Sequence, residues 1–400
     1  MNDLISVCIP AYGKRFLAET LDSLLKQDYR PFEIVIGDDR PDAVDEALLN
    51  ALRTDEGITV RYIPNRPRLG QAGNVNMLFR EARGAWILIM HDDDLMMAGA
   101  LSALHAGAVR HPGASVVYGR VTMIDAAGTV DPAATAQGNR DFGRTPDRAG
   151  AQSSSLAAAV DGRIPHNGFL VRADLARAVL YKSREEVGDV CDYDFGIRLA
   201  LAAPDAPFVF VDRDASACRR WGGQISASSR SGIFALDLLD RLAPRSAEER
   251  DAVARAVARH AAIALCEHAR AGDRAAALRL LFSGAYRSTA RPAEAAYHAL
   301  LILSPDLAGR LMARLRLGRR ARHAAGAARL APLRALHARG PAGTAPDPLA
   351  GRRGAPPRHG ACPWQPGELA GQRDARSGEA ARKGGRGADV RTRPRRGVRS

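Results

Sequence analysis

The chain has 400 residues, 46% hydrophobic and 26% charged, as in soluble globular proteins, so it can hold two ordinary domains or one large domain with additions. Its formal net charge of +14 is concentrated near the end, because residues 311–340 carry eight arginines and no acidic residue. Five cysteines without CxxC spacing argue against a structural zinc site and favour a reducing compartment. We see no signal peptide, and no apolar run approaches the length of about 18 residues that a membrane-spanning helix needs. We therefore expect a cytoplasmic protein.

Apolar runs alternate with segments of helical periodicity over the first ninety residues. The pattern predicts strands at 4–10, 32–37, 58–63 and 85–90, and helices between them at 16–27, 44–53 and 71–81. This alternation is typical of an α/β fold with a mostly parallel sheet and helices on its faces.

Acidic side chains follow two of these strands. Asp38 and Asp39 come directly after the second strand, and Asp92, Asp93 and Asp94 follow the fourth after a single His91. Ligands of open α/β sheets bind beyond the carboxyl ends of the strands. Clustered carboxylates need a positive partner, and a divalent cation shared with substrate phosphates would provide one, although an Asp-rich turn is the simpler alternative. Neither GxGxxG nor a P-loop is present, which disfavours dinucleotide oxidoreductases and P-loop NTPases.

The following hundred residues continue the mixed pattern. Helices are predicted at 98–111 and 193–203 and strands at 114–124, 164–172 (after a turn) and 208–211. Residues 131–155 are polar and aperiodic, which predicts a long mobile loop. Asp192 directly precedes the second helix, a position typical of an N-cap.

The composition changes after residue 230. Helices are predicted at 233–242, 247–271, 274–282 and 292–303, and 307–339 is a basic amphipathic stretch. That stretch either contacts an anionic membrane surface or is solvated or disordered. The Gly- and Pro-rich residues 341–400 predict disorder, and their lack of interleaved aromatics disfavours nucleic-acid binding. We therefore divide the chain into 1–230, 231–340 and 341–400.

Six segments in this order resemble family 2 glycosyltransferases: residues 6–12, 33–39, 65–76, 92–94, 191–199 and 219–221. The resemblance implies a GT-A fold, a Rossmann-like mixed and mostly parallel sheet flanked by helices. The predicted helical extension and disordered basic tail would follow this domain. The resemblance also implies an inverting hexosyltransferase that uses a nucleoside-diphosphate sugar.

The resemblance assigns roles to the residues of these motifs. Those implied to bind the nucleotide sugar are Pro10, Ala11, Tyr12, Asp38, Asp39, Arg66, Gly70, Asn74, Asn76 and Asp92. Arg219 and Arg220 would contact the diphosphate, with solvated loop arginines as the alternative. Asp93, with Asp94 beside it, would hold Mg²⁺ or Mn²⁺, whereas His91 stands where many relatives have the first acid of a DxD motif.

Sugar transfer also needs a base that takes the proton of the acceptor hydroxyl. The resemblance points to Asp192, although Cys191 replaces the usual glutamate, and Asp189 and Asp194 are the other candidates. His166 and Asn167 correspond to a segment near the acceptor in relatives, with simple turn chemistry as an equal alternative.

The expected partners are a nucleoside-diphosphate sugar and a glycan or lipid-linked acceptor, with peripheral contact at the inner face of the membrane through the basic helix. The expected role is cell-surface or exopolysaccharide assembly. One alternative is a sugar-phosphate nucleotidyltransferase, because residues 11–15 half resemble a glycine-rich basic loop. The other is a non-catalytic protein that binds sugar nucleotides or docks on membranes, in which His91 and Cys191 mark lost activity.

Overall fold

A computed structural model describes residues 3–13, 15–40, 49, 57–222 and 230–314. The helix predicted at 44–53 (apart from residue 49) and the tail from residue 315 onward lie outside these ranges. The predicted basic amphipathic stretch is therefore described only up to residue 314, where the chain is helical.

One mixed sheet of nine strands organises the described chain. The strands are β1 (Ile5–Ala11), β2 (Phe32–Asp38), β3 (Ile58–Pro64), β4 (Trp86–Ile89), β5 (Leu95–Met96), β6 (Val116–Ile124), β7 (Gly150–Ala151), β8 (Leu170–Arg172) and β9 (Phe208–Arg219). Their order is β3-β2-β1-β4-β8-β6-β9-β5, with β7 paired to β9. The first four strands are parallel, and β6 pairs parallel with β9, whereas β8, β5 and β7 pair antiparallel with their neighbours. The parallel pairs are the longer ones, so most of the paired residues lie in parallel pairs, as predicted.

Helices follow most of the strands. They are α1 (Leu17–Leu25), α2 (Gly70–Glu81), α3 (Ala100–Arg110), α4 (Pro132–Asp141), α5 (Ser155–Val160), α6 (Ala173–Val179), α7 (Arg184–Val187), α8 (Cys191–Ala202), α9 (Ser231–Asp240), α10 (Ala247–Arg270), α11 (Arg274–Leu281), α12 (Gly284–Arg287) and α13 (Pro292–Leu303). Short 3₁₀ turns precede β7 and α8, at Pro146–Arg148 and Gly188–Val190.

The sheet is buried on both faces, because alternate strand residues contribute to two separate apolar cores. On β1, Cys8 packs with α2, α5 and α8, whereas Val7 and Ile9 pack with α1 and α3. The long apolar runs of the sequence thus correspond to the middle layer of a three-layer α/β/α arrangement.

The C-terminal helices agree closely with the predicted ones. Leu239, Ala252 and Ala256 on α9 and α10 join the core of the sheet, whereas the end of α10 forms a separate cluster with α11 to α13. The division of the chain at residue 230 stays a prediction. None of the helices within the described ranges has both the length and the apolar composition needed to cross a bilayer.

Two predictions about local structure are wrong. Residues 131–155 contain α4, a 3₁₀ turn and β7, because Asp131 caps α4 through the Ala134 amide and Asn139 bonds the Val121 backbone of β6. Asp192 lies inside the first turn of α8 and is not its N-cap, a position that Val190 occupies without a side-chain hydrogen bond.

Candidate functional site

The carboxyl ends of β1, β2 and β4 lie together at one edge of the sheet. Ala11 at the end of β1 pairs with Asp38 at the end of β2, and the Asp39 amide donates to the Ala11 carbonyl at 3.0 Å. The Asp92 carboxylate, just beyond β4, accepts hydrogen bonds from the Tyr12 and Gly13 amides, both at 2.7 Å. Parallel pairing therefore brings both acidic segments to one place, as the strand pattern predicts.

The first acidic pair is bound by donors of the protein itself. The buried Asp38 accepts from the Arg40 amide at 2.8 Å and the Tyr62 hydroxyl at 2.9 Å. Asp39, also buried, accepts from the amides of Leu69 and Gly70 at 2.7 and 2.8 Å, and so places its charge at the N-terminus of α2. The two carboxylates stabilise the loops at this edge of the sheet. Their expected contact with a nucleotide stays a prediction.

The residues predicted to surround the nucleotide differ in their accessibility. Ala11 is fully buried and Pro10 half-buried, whereas the Tyr12 side chain is 54% exposed, with the Arg40 guanidinium 5.9 Å from its ring centroid. Arg66 and Gly70 are exposed beside the start of α2. Gly70 has a φ of +71°, which favours glycine at the start of this helix.

The two asparagines of α2 are engaged inside the protein. Asn74 is buried and donates to the Gly37 carbonyl at 2.8 Å, and its amide oxygen accepts from Asn65 at 3.0 Å. Asn76 forms a double hydrogen bond with the backbone of Tyr181, accepting from its N–H at 2.7 Å and donating to its C=O at 2.9 Å. Both side chains are therefore bound within the protein, and the nucleotide contact that the resemblance implies stays a prediction.

The second acidic segment contains a group of atoms that suits a divalent cation. His91, Asp93 and Asp94 each offer one ligand atom, and these atoms all lie within 4.8 Å of one another. Trp221 donates from its indole N–H to Oδ2 of Asp93 at 2.8 Å. Imidazole and carboxylate ligands fit a divalent cation such as Mn²⁺. The structure thus adds His91 to the predicted pair.

Asp94 differs from Asp93 because protein donors bind both of its oxygens. The Arg219 amide donates to Oδ1 at 2.7 Å, and the Asn167 side chain donates to Oδ2. Burial and the neighbouring Asp94 charge raise the pKa of Asp93. Burial disfavours the charged imidazolium of His91, but the hydrogen bond and charge of Asp94 outweigh it and raise the pKa of His91 to about 9. A cation would replace that proton as the positive partner of these acids.

Arg219 does not present its charge to the site. Its side chain is fully buried, donates from Nε to the Asp93 carbonyl at 2.9 Å and from Nη2 to Glu19 at 2.7 Å, and lies 4.2 Å from the centroid of the Phe16 ring. The predicted diphosphate contact of Arg219 stays a prediction. Arg220 is exposed at the end of β9, and its diphosphate contact stays a prediction.

Asp192 lies beside this group, with its side chain 27% exposed. Oδ2 of Asp192 is 3.5 Å from Nδ1 of the half-exposed His166. Burial alone would raise the pKa of Asp192. The hydrogen bond and charge of His166 and the charge of His91 outweigh burial and lower it. The carboxylate is therefore ionised at neutral pH.

The two residues predicted near the acceptor separate in the structure. His166 reaches the Asp192 carboxylate, as described above. Asn167 is buried, and its side-chain nitrogen contacts Asp94 and lies 3.4 Å from Nδ1 of His91. Asn167 therefore contacts the acidic segment, and its predicted acceptor contact stays a prediction. The other base candidates are bound elsewhere, Asp189 to Arg184 and Asp194 to Arg198.

Comparison with known proteins adds an independent observation. Residues 6–159 match the family described as "Glycosyl transferase family 2", a range that contains β1 to β4 and both acidic segments. The N-terminal region of the chain is therefore similar to this family. Asp192, Arg219 and Arg220 lie beyond the matched residues, so the match itself says nothing about their roles.

The curated relatives of this chain are similar to it over short stretches. "Uncharacterized protein MT1568" of Mycobacterium tuberculosis is 42% identical over 25% of this chain and 31% of its own length. "GalNAc(5)-diNAcBac-PP-undecaprenol beta-1,3-glucosyltransferase" of Campylobacter jejuni is 28% identical over 25% of this chain and 33% of its own. The chain thus spans about a third of the length of these curated relatives. TarS of S. aureus in complex with UDP-GlcNAc aligns with 72% of this chain and 92% of its own length, at 17% identity and a TM-score of 0.47.

Sequence reasoning left two residues of this site unassigned. The role of His91 is open in the sequence, because a single histidine after a strand has many explanations. Trp221 had only its position after the two arginines as a signal, and it lies 128 residues from its partner Asp93 in the sequence.

Proposed function

We propose that this protein transfers a hexose from a nucleoside-diphosphate sugar to an acceptor hydroxyl with inversion, and that Asp192 accepts the proton of that hydroxyl. The observation that carries the proposal is the position of Asp192. A partly exposed carboxylate from α8 lies 3.5 Å from His166, and the adjacent Asn167 contacts Asp94 beyond β4. The donor-side acids and the proposed base thus come from different parts of the chain and meet at one edge of the sheet.

The ionisation state of Asp192 supports its role as a base. A general base must be deprotonated and within reach of the hydroxyl that it serves. Contact with His166 and the charge of His91 favour the ionised form, and partial exposure leaves room for an acceptor. His166 is half-exposed on the solvent side of this carboxylate, and we propose that it contacts the acceptor.

We propose that His91 and Asp93 hold a divalent cation, with Asp94 completing the group. Within the described part of the chain, Oδ1 of Asp93 accepts no hydrogen bond, which leaves it open to a cation, whereas both oxygens of Asp94 are already engaged. The metal, when bound, neutralises charge on the leaving diphosphate. Mg²⁺ and Mn²⁺ are both compatible with this ligand set, and the imidazole favours Mn²⁺.

The proposed nucleotide contacts divide by accessibility. Tyr12, Arg66 and Arg220 are exposed around the edge and are positioned to meet a ligand. Asp38, Asp39, Asp92 and the two α2 asparagines are engaged with backbone groups. We propose that these engaged residues shape the nucleotide site. We propose further that backbone groups, together with Pro10, Ala11 and Gly70, line that site.

The acceptor is proposed from the relatives. The C. jejuni protein is named for adding glucose to a glycan on undecaprenyl diphosphate. We propose a lipid-linked glycan acceptor and a place in cell-surface glycan assembly for this chain as well. The basic residues 311–340 would assist by contacting anionic lipid at the inner face of the membrane. In this proposal, 1–230 is the transferase unit and 231–340 serves acceptor docking.

A donor panel tests the proposal. UDP-glucose, UDP-N-acetylglucosamine, GDP-mannose and dTDP-glucose are incubated with Mn²⁺ or Mg²⁺ and a lipid-diphosphate-linked glycan, and sugar transfer and anomeric configuration are followed by NMR. We expect one donor to react with inversion. Asp192→Asn should lower kcat by about 10³-fold with donor binding retained, because the base is lost while the donor pocket stays intact.

Asp174→Asn is the matched control, since Asp174 is also an acid in the first turn of a helix but is exposed and paired only with Arg172. Its turnover should equal that of the wild type. Retention of configuration, or unchanged turnover in Asp192→Asn, would overturn the proposal. Release of diphosphate from a nucleoside triphosphate and a sugar phosphate would identify a nucleotidyltransferase instead.

A further inference from the structure

The C-terminal helices carry a concentration of exposed apolar side chains. Between residues 278 and 311, five large apolar side chains are exposed, whereas the other five of the described chain are spread from residue 12 to residue 201. Isolated exposed apolar residues need no explanation, but a concentration of them marks an interaction surface. We call this set the C-terminal apolar surface, and it consists of Leu278, Phe282 (69% exposed), Leu303 (71% exposed), Leu307 and Leu311.

The elements that carry this surface pack together through their opposite sides. Ala277 of α11 and Ala308, which lies in the helical residues 305–314, are buried in one cluster. The Arg274 side chain at the start of α11 donates to the carbonyl of Leu303 at the end of α13, at 3.4 Å. The exposed apolar side chains therefore lie on the outer side of neighbouring elements, with their backbones fixed by the packed inner side.

Leucine and arginine alternate on the last described helical turns. Leu307 and Leu311 are one turn apart, and Arg310 and Arg314 form the adjacent row on the same helix, with all four side chains exposed. Such a helix suits a membrane interface. Leucine enters the boundary between headgroups and acyl chains, while the long arginine side chain reaches the lipid phosphates.

The charge around this surface favours an anionic bilayer over a second copy of the chain. Residues 274–314 contain six arginines, all exposed, and two acids, and residues 315–340 add seven arginines and no acid. A symmetric dimer through this surface would bring like charges together. Residues 341–400 carry thirteen Lys or Arg against five acids, so the chain's own end has the same sign of charge. Anionic lipid headgroups supply the opposite charge.

We propose that the C-terminal apolar surface inserts into the headgroup region of an anionic bilayer, with Arg310 and Arg314 at the lipid phosphates. This inference rests on the proposed function, which places the acceptor in a membrane. The proposed contact of residues 311–340 acts through charge alone, and the apolar surface adds a component that salt does not screen. Because α10 joins both the core of the sheet and the cluster of α11 to α13, insertion would also orient the transferase unit on the membrane.

Vesicle binding tests the inference with the full chain. Cosedimentation is measured with vesicles of phosphatidylcholine alone or mixed with phosphatidylglycerol, at low and high salt, without donor or acceptor. The double variant Leu307→Gln/Leu311→Gln should bind the anionic vesicles about tenfold more weakly than the wild type, because the apolar contribution scales with the area inserted. Its binding should keep the salt dependence of the wild type, since its arginines are unchanged.

Val109→Gln/Leu201→Gln is the matched control. These two side chains are exposed on α3 and α8, outside the C-terminal apolar surface, and the variant removes a comparable apolar area. Its affinity for the anionic vesicles should stay within about twofold of the wild type. Unchanged affinity in Leu307→Gln/Leu311→Gln, or equal losses in the two double variants, would overturn the inference.

Arg310→Gln/Arg314→Gln provides a second arm. Binding to the anionic vesicles should fall about tenfold and depend less steeply on salt, because two contacts to lipid phosphates are lost. Light scattering identifies the alternative occupant: a change from dimer to monomer in Leu307→Gln/Leu311→Gln, with vesicle binding retained, would assign the surface to a second copy and overturn the inference. Failure of the proposed function is distinguishable, since it shows as absence of sugar transfer in the donor panel and leaves vesicle binding unchanged.

Discussion

The acids at the strand ends and the acid on α8 are bound in opposite ways. Asp38, Asp39, Asp92 and Asp94 accept hydrogen bonds from backbone amides or buried side chains, and these bonds connect loops that are distant in sequence. Asp192 instead contacts the His166 side chain and keeps part of its surface exposed. The first group stabilises the edge of the sheet, whereas the carboxylate of the proposed base stays accessible.

This difference teaches that an acidic motif does not act as one unit. Within residues 92–94, Asp92 binds the β1 loop through one oxygen and Asp94 binds Asn167 and Arg219 through both. Asp93 accepts a hydrogen bond from the Trp221 indole. Substitution of the acids should therefore separate losses of stability from losses of turnover.

Asp94→Ala should show the largest effect on folding. The substitution leaves the Arg219 amide and the Asn167 side chain as buried donors without an acceptor, so the free energy of unfolding should fall by about 3 kcal/mol. Equilibrium denaturation in urea, followed by circular dichroism, measures this change. Asp174→Ala, which removes an exposed carboxylate, should change the free energy of unfolding by less than about 0.5 kcal/mol. Equal losses in the two variants would mean that Asp94 has no special structural role.

The sequence predicts the sheet well, because continuous apolar runs and helical periodicity are local signals. The four parallel strands and the acidic segments after β2 and β4 follow from that pattern alone. The tertiary contacts of Asn139 with β6 have no such signal, and this is why residues 131–155 were predicted as a loop.

Side-chain roles were harder to predict than strands. Arg219 and Arg220 are adjacent and identical in type, yet the extension of β9 to residue 219 buries the first and exposes the second. Asn76 and Asn167 have side chains that often bind ligands, but here they donate hydrogen bonds to the Tyr181 carbonyl and to Asp94. Their environment depends on pairing between segments more than seventy residues apart, which a single sequence does not encode visibly.

Arg219→Met should have the next largest effect. Methionine fills part of the volume near Phe16 but loses the bonds to Glu19 and to the Asp93 carbonyl, so we expect the free energy of unfolding to fall by about 2 kcal/mol. Arg220→Met serves as the neighbouring comparison, since its exposed side chain should leave stability unchanged and weaken UDP binding measured by calorimetry. The opposite pattern, with stability lost only in Arg220→Met, would contradict the buried role of Arg219.

Asp192→Asn should have the smallest effect on stability, less than about 1 kcal/mol at pH 7, although it should abolish most turnover. The folded state lowers the pKa of Asp192, so its ionised form stabilises the fold above the pKa of the unfolded chain, about 3.9. That contribution is lost as the pH falls through the folded pKa. The difference in unfolding free energy between wild type and Asp192→Asn should therefore be constant from pH 7 to 5 and shrink toward pH 3, as urea denaturation at each pH would show. A difference that instead grows toward pH 3 would mean that the folded state raises this pKa, and Asp192 would then resemble a buried acid and not an available base.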